Sequence, residues 1–356
     1  MRLNISNAQT VDSRYQNNYL DILEAAWLDH LAPRQPDAPT VVSTFAGGGG
    51  SSLGYSMAGY RELLAVEWDN NAVETFQLNF PDVPVYHGDI TKLSVEECLR
   101  LAEIEPGELD LFDGSPPCQG FSTAGKRVMD DPRNQLFREY VRLLRGLQPK
   151  VFVMENVSGM VKGKMKLIFA EIMRELKASG YRVSARLMNA MYFNVPQSRE
   201  RMIFIGVRED LGIEPSHPRA ESRPVTVREA FDCLQQTEAD LKSTQLKETW
   251  QMYRVLKRQE RHKHFGLVRI GWNKASNTVV KDAGNTTTGM IHPSKDRRLT
   301  IPEIKRIASY PDDFTMFGHY KDQWERIGNS VPPLFLCAVA RHIRANILTQ
   351  QEPRLA

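Results

Sequence analysis

Between Val41 and Val207 the chain repeats one unit: a short apolar run, a turn rich in glycine, proline or acid, then a segment with apolar residues at helical spacing. Strands separated by helices cannot be joined by tight hairpins. They line up side by side through right-handed crossovers, and the helices cover both faces. The repeat therefore predicts an α/β fold with a doubly wound, mostly parallel sheet. Strands are expected over Val41–Ala46, Leu63–Glu67, Val83–Ile90, an apolar run from Asp110, Lys150–Val157, Tyr181–Leu187 and Met202–Val207. Helices are expected from Ser51, as an N-cap, to Gly59, from Asn70 to about Phe80, from Pro132 until Pro149 stops it, and over Lys164–Ser179.

Open α/β sheets place ligands at the carboxyl ends of their strands. Four strand ends here carry side chains capable of chemistry: Glu67, Asp89, Cys118 and Glu155. Gly47 to Gly50 follow the first strand and admit either a ligand or a tightly packed neighbour. Glu67 lies about 20 residues further on, where an acid can hold a ribose hydroxyl pair. Trp68 offers an aromatic face, and Asp89 can accept from a purine amine, although both acids can equally cap helices. Pro116 and Pro117 fix the backbone in front of Cys118, and Gly114 and Gly120 let the chain turn on either side. Such a loop can present a thiol, whereas a lone intracellular cysteine can also be a small buried hydrophobe. Arg199 and Arg201 alternate in an extended stretch, so both can face one side or simply form a solvated turn.

The 356 residues hold 46 Lys and Arg against 43 Asp and Glu, a net charge of +3, so any basic surface is local. Four separated cysteines, Cys98, Cys118, Cys233 and Cys337, suit neither a zinc site nor a disulfide framework. With Asp12, Asp21 and Glu24 near the start, no signal peptide and no spanning apolar run, the expected protein is soluble and cytoplasmic, without metal or membrane. Residues 1–39 read as an extension with one helix, Tyr19–Leu31, whose stripe is Leu20, Leu23, Trp27 and Leu31. Beyond Glu209 the strand–helix rhythm breaks. Arg254, Lys257, Arg258, Arg261, Lys263, Arg269 and Lys274 face only Glu260 there, a stripe suited to phosphates or to solvent.

Six stretches, in order, resemble the motif series of the cytosine-5 DNA methyltransferases of bacterial restriction-modification systems. They are Phe45–Gly50, Pro116–Gln119, Glu155–Val157, Gln197–Arg201, Arg298–Glu303 and Gly328–Val331. The resemblance covers about residues 41–208 and 290–348. It implies a catalytic and cofactor-binding domain at 40–208, a target-recognition domain at 209–322 with its variable part at about 209–295, and a segment, 323–356, returning to the catalytic domain. Ser330 is expected to open that last helix, apolar from Val331 to Leu348.

By the same resemblance the cofactor is S-adenosyl-L-methionine, released as S-adenosyl-L-homocysteine. Phe45, Ala46, Gly47, Gly48, Gly49, Gly50, Glu67, Trp68, Asp89, Ile90, Pro117, Leu136, Asn329 and Ser330 would form its pocket. Ser43 and Ser115 depart from the residues frequent in the family at those positions. Cys118 would add to ring carbon 6 of a flipped cytosine, which activates carbon 5 for methylation. Glu155 would hold ring nitrogen 3 and the amine, Arg201 the carbonyl oxygen, and Arg199 would support the loop or contact the backbone. Gln119, Ser122, Lys126, Arg127, Arg258, Arg261 and Lys263 would contact duplex DNA. A monomer associated with the nucleoid is implied, with a cognate restriction endonuclease where one shares the site. The competing readings are a tRNA cytosine-5 methyltransferase and a catalytically silent DNA-binding regulator. A nicotinamide-dependent dehydrogenase would account for the glycine turn alone.

Overall fold

The computed structural model describes residues 18–117, 135–161, 165–244, 267–282 and 289–351. Helix α1, Tyr19–Leu31, starts where the Asn18 side chain accepts from the backbone N–H groups of Leu20 and Asp21. Its buried face is Tyr19, Ile22, Leu23 and Ala26, while Leu28 and Leu31 lie exposed. Of the expected stripe, Leu23 is buried and Leu20 and Trp27 pack against the same core, while Leu31 is exposed; Tyr19 joins the buried face, its hydroxyl donating to the Arg306 carbonyl oxygen at 2.5 Å.

The strand–helix repeat then runs β1 (Thr40–Thr44), α2 (Gly50–Met57), β2 (Arg61–Glu67), α3 (Asn70–Asn79), β3 (Val85–His87), α4 (Val95–Ala102), β4 (Leu111–Gly114), α5 (Gln135–Leu147), β5 (Val151–Val157) and α6 (Met165–Lys177). Two longer strands follow, β6 (Tyr181–Asn189) and β7 (Glu200–Arg208). The seven strands lie in the order β3-β2-β1-β4-β5-β7-β6, parallel throughout except that β7 runs against both of its neighbours. The predicted mostly parallel, doubly wound sheet is therefore present.

Period-two alternation divides the sheet between two cores. Val41, Leu111, Val151, Val153, Ile203 and Ile205 face α1, α2 and the C-terminal helices. Val42, Leu64, Phe112, Phe152, Met154 and Phe204 face α4, α5 and α6. Phe152 shows how tightly this is packed. Its ring meets Tyr181 edge-on at 5.2 Å, and a Cβ at Gly206, its register partner on β7, would sit 1.9 Å from it. Truncating a buried ring of this kind costs about 3–5 kcal/mol.

After β7 the described chain forms only short elements: α7 (Val227–Ala230), α8 (Glu238–Lys242), and the paired strands β8 (Leu267–Arg269) and β9 (Gly289–Ile291). Val225, Val227, Ile270, Val279 and Met290 from this stretch join the same core as α1 and α2. Three helices return: α9 (Ile301–Ile307), opened by a Thr300–Glu303 capping box, α10 (Tyr320–Asn329) and α11 (Pro333–Ile343). Helix α11 is buried from Pro333 to Ala340 and lies close against α2, where a Cβ on Gly54 would come within 2.7 Å of the Pro333 carbonyl.

Two expected helix starts move. Helix α2 opens at Gly50 behind Gly49, which takes a left-handed φ of 90°, so Ser51 lies inside the first turn rather than at the cap. Ser330 closes α10 instead of opening α11. The ring of each proline biases the residue before it toward extended backbone, so Val331 and Pro332 stay out of the helix and it restarts at Pro333.

Candidate active site

The reversal of β7 builds the site. Because β7 runs opposite to β5, its first residues lie beside the last residues of β5, with Val157 paired to Arg201 and Glu155 to Ile203. Arg201 Nε thus comes to 2.5 Å from Glu155 Oε1, and both side chains are largely buried, 15% and 13% exposed. An ion pair this sheltered is costly to desolvate unless its geometry is fixed and further partners complete it. Arg201 also donates to the Glu200 carbonyl.

Asn156, the next residue, is buried, and its side-chain N–H donates to the Pro116 carbonyl oxygen at 3.3 Å while its Oδ1 accepts from Val157 N–H. This ties the end of β5 to the two prolines at the end of β4. Cys118 itself, with Gln119, Ser122, Lys126, Arg127, Arg258, Arg261 and Lys263, lies outside the described residues. Pro117 is the last described residue before it.

Beneath the prolines sits Asp113, buried on β4, which accepts from the Tyr55 hydroxyl at 2.8 Å. Burial first, and the nearby charge of Glu155 as well, push its carboxyl up to about 7. A lone acid inside an otherwise apolar strand was the sequence signal that pointed to it, and the sequence reading passed over it.

Arg199 is also buried, and its guanidinium donates to the carbonyls of Val279 at 2.9 Å and Gly328 at 3.1 Å. Burial, then the charge of Arg201, pushes its pKa down, although a guanidinium stays charged. Its hydrogen bonds are therefore spent on backbone. Arg199 thus joins the Val279 and Gly328 backbones beside the Glu155–Arg201 pair.

Across β1 and β2 lies a cavity of about 370 Å³, lined by Phe45, Val66, Glu67, Trp68, Gly88, Asp89, Ile90, Pro117 and Leu136. Seven of these lining residues coincide with the expected cofactor pocket; Val66 and Gly88 are additions. Phe45 holds a left-handed φ of 55°, a conformation costly for a non-glycine residue that persists only where its surroundings impose it. Trp68 is 74% exposed, leaving its ring face open. Glu67 Oε1 accepts from the N–H groups of Trp68 and Asp69, and Oε2 from Gly47. Three of a carboxylate's roughly four lone-pair positions are thereby filled, and one on Oε2 remains for a hydroxyl. Asp89 is exposed and uses one oxygen to accept from Thr91 N–H, opening the short helical turn at Ile90.

Ala46, the four glycines, Asn329 and Ser330 do not line this cavity. Gly50 has a packing reason instead, since a Cβ there would come within 2.6 Å of the Tyr310 hydroxyl and 2.7 Å of Ser330 Cβ. Open space surrounds the Cβ position of Gly47. Among the described residues no cluster of His, Cys, Asp or Glu could hold a metal ion, and no helix is long and apolar enough to cross a membrane.

The family model described as "C-5 cytosine-specific DNA methylase" matches residues 40–345. Type II methyltransferase M1.HphI of Haemophilus parahaemolyticus is 34% identical over 330 residues, covering 85% of this chain and 86% of the relative. Type II methyltransferase M.AquIA of Picosynechococcus sp. is 43% identical over 198 residues, 52% of this chain and 80% of the relative. Among solved structures, the S. pombe Dnmt2 methyltransferase superposes with a TM-score of 0.64 at 19% identity, covering 86% of this chain and 99% of that one, a likeness of fold. A strand reversal that joins Glu155 to Arg201, on a chain matched by the family over almost its whole described length, leaves one conclusion: this protein belongs to the C-5 cytosine-specific DNA methylases and is a DNA cytosine-5-methyltransferase.

Proposed function

We propose that the protein methylates carbon 5 of a cytosine turned out of duplex DNA, through a covalent adduct with Cys118, using S-adenosylmethionine. The observation that carries this reading is the buried Glu155–Arg201 pair, tied through Asn156 to the prolines in front of Cys118, on the sheet edge that also holds the 370 Å³ cavity.

The cavity's groups fit the cofactor. Phe45, Ile90 and Leu136 offer apolar walls, Trp68 a free ring face, Asp89 an acceptor for the adenine amine, and Glu67 one open position for a ribose hydroxyl. Bound there, S-adenosylmethionine supplies an electrophilic methyl group.

The protein's own groups prepare the base. Cys118 thiolate attacks ring carbon 6, and the electron pair pushed into the ring makes carbon 5 nucleophilic. Glu155 delivers a proton to ring nitrogen 3 and accepts from the exocyclic amine, which neutralises the negative charge that develops on the ring, while Arg201 holds the Glu155 carboxyl group in line and reaches the ring oxygen. A base removes the carbon 5 proton before the thiol leaves. A stacked base hides carbon 6 on both faces, so it must leave the helix, at a cost of a few kcal/mol. Domain limits follow the reading above: 40–208 for catalysis and 209–322 for target choice, with phosphate contacts from the loop after Cys118 and from the basic stripe at Arg258, Arg261 and Lys263.

Incubation with S-adenosylmethionine and DNA containing 5-fluorocytosine tests the mechanism, because fluorine cannot be lost as the proton is. A covalent protein–DNA species is expected, absent in Cys118→Ala. An adduct that survives Cys118→Ala, or none on any sequence tried, would overturn it.

A further inference from the structure

Arg326, on the last turn of α10, carries a polar contact that neither the cavity nor the base site uses. Its Nη1 donates to Asp69 Oδ1 at 2.9 Å, and its side chain is only 11% exposed. The second nitrogen lies 3.3 Å from Glu325, and Nε is buried without a partner among the described residues. Asp69 is no ordinary surface acid. It follows Glu67 and Trp68 on the cavity wall, its own N–H is held by Glu67 Oε1 at 2.9 Å, and its side chain caps α3 through Ala72 N–H at 2.8 Å. The same turn of α10 includes Gly328, whose carbonyl receives Arg199 from the base side. One helical turn is thus clamped by two arginines, one reaching toward the cofactor wall and one coming from the strand that bears Arg201.

We propose that Arg326 is a positioning residue for the cofactor pocket: acting through Asp69, it fixes the Glu67–Trp68 wall against the returning helix α10. This rests on the reading of the 370 Å³ cavity as the S-adenosylmethionine site. The physical ground is that a half-buried guanidinium–carboxylate contact has a fixed direction, so it sets the backbone of Asp69, and the Glu67 carboxylate bonded to that backbone is set with it. Without the cation the wall gains freedom that a ligand must remove on binding, and that freedom is paid in cofactor affinity rather than in the chemical step.

The test is calorimetric titration of the full-length protein with S-adenosylhomocysteine, beside steady-state methyl transfer to DNA. Arg326→Gln is expected to raise the dissociation constant and the cofactor KM by about fivefold or more. The DNA KM, and kcat at saturating cofactor, should stay within about twofold. Asp69→Asn keeps the helix cap, since Asn caps as well as Asp, yet removes the charge. It should act in the same direction, with the double variant no worse than Arg326→Gln alone. Arg326→Lys should recover part of the loss. If Arg326→Gln does not fold, Asp69→Asn carries the test.

Unchanged cofactor affinity in the single variants, additive losses in the double, or a parallel collapse of kcat and DNA KM would each overturn the proposal. No binding by the wild type would overturn the reading of the cavity and this inference with it. Wild-type binding with indifferent variants would overturn this inference alone.

Discussion

Among the described residues, cavities lie at both edges of the sheet, and a small one at the carboxyl edge is where the chemistry gathers. The amino edge opens into a groove of about 1080 Å³ bounded by the residues after α1 and the starts of β1, β2 and β4, among them Arg34, Asp37, Glu62, Asp82 and Asp110. Part of its charge is engaged by the wall itself. Lys150 pairs with Asp110 at 2.7 Å, Asp110 also accepts from Thr40 N–H, and Arg34 donates to the carbonyls of Asp29 and His30. The carboxyl edge holds only about 370 Å³, yet it keeps an exposed indole, one open lone-pair position on Glu67 and, beside it, the Glu155–Arg201 pair. What separates the two is the grouping of an open acceptor, an exposed ring and a sheltered ion pair at the carboxyl ends of the strands, and volume says little about it.

The strongest way to break that contrast is at Glu155. Glu155→Gln keeps the shape but offers an amide that cannot deliver a proton to ring nitrogen 3, where negative charge develops on attack. Turnover should drop by roughly 10²–10⁴ with the cofactor dissociation constant nearly unchanged. Single-turnover methylation on saturating DNA checks this, and a variant within about tenfold of wild type would remove Glu155 from the reaction.

A smaller effect is expected from the buried acid beneath the site. Asp113 holds its proton to about pH 7, whereas an ordinary carboxyl of the unfolded chain releases it near 3.8. The raised value means that its contribution to stability is whole below the unfolded pKa and is lost as pH rises through about 7. Asp113→Asn, which retains an acceptor for Tyr55, escapes that loss. Relative to wild type it should therefore gain stability between pH 4 and 8, by up to roughly 4 kcal/mol. Glu62, lifted to about 8 mainly by burial and in smaller part by the charge of Asp113, acts in the same sense at the groove edge, and the substitution removes that smaller part. Melting curves of both proteins across that pH range decide the matter, and a difference that does not change with pH would mean Asp113 titrates normally.

How much of this the sequence disclosed follows from what each feature depends on. The sheet was legible because period-two runs and helical stripes are local patterns, and Glu155 and Asp89 could be placed because strand ends can be counted. The meeting of Glu155 with Arg201 depends on β7 running antiparallel, which the residues between Tyr181 and Val207 do not declare. The partners of Arg199 and Arg326 were beyond reach for a different reason. They are Val279, Gly328 and Asp69, and contacts 80, 129 and 257 residues away leave no local periodicity. Ser330 was misplaced as a helix start because its capping chemistry outweighed the two prolines that follow.

The smallest effect is expected where the larger cavity is. Arg61 and Asp82 both line the amino-edge groove and both are exposed. Neither needs a protein partner to avoid a desolvation cost, so Arg61→Ala and Asp82→Ala should each shift stability by no more than about 0.5 kcal/mol, near 1 °C in Tm. Methyl transfer should change by less than about twofold, because the Coulomb field of a solvated charge is screened within about 10 Å. The opposite strand ends lie further away than that: a strand of five to seven residues spans about 17–23 Å. A melting point held within a degree while cofactor KM or turnover changes about tenfold would place the groove in the catalytic cycle. The contrast between the two strand edges would then fail at the edge where it predicts silence.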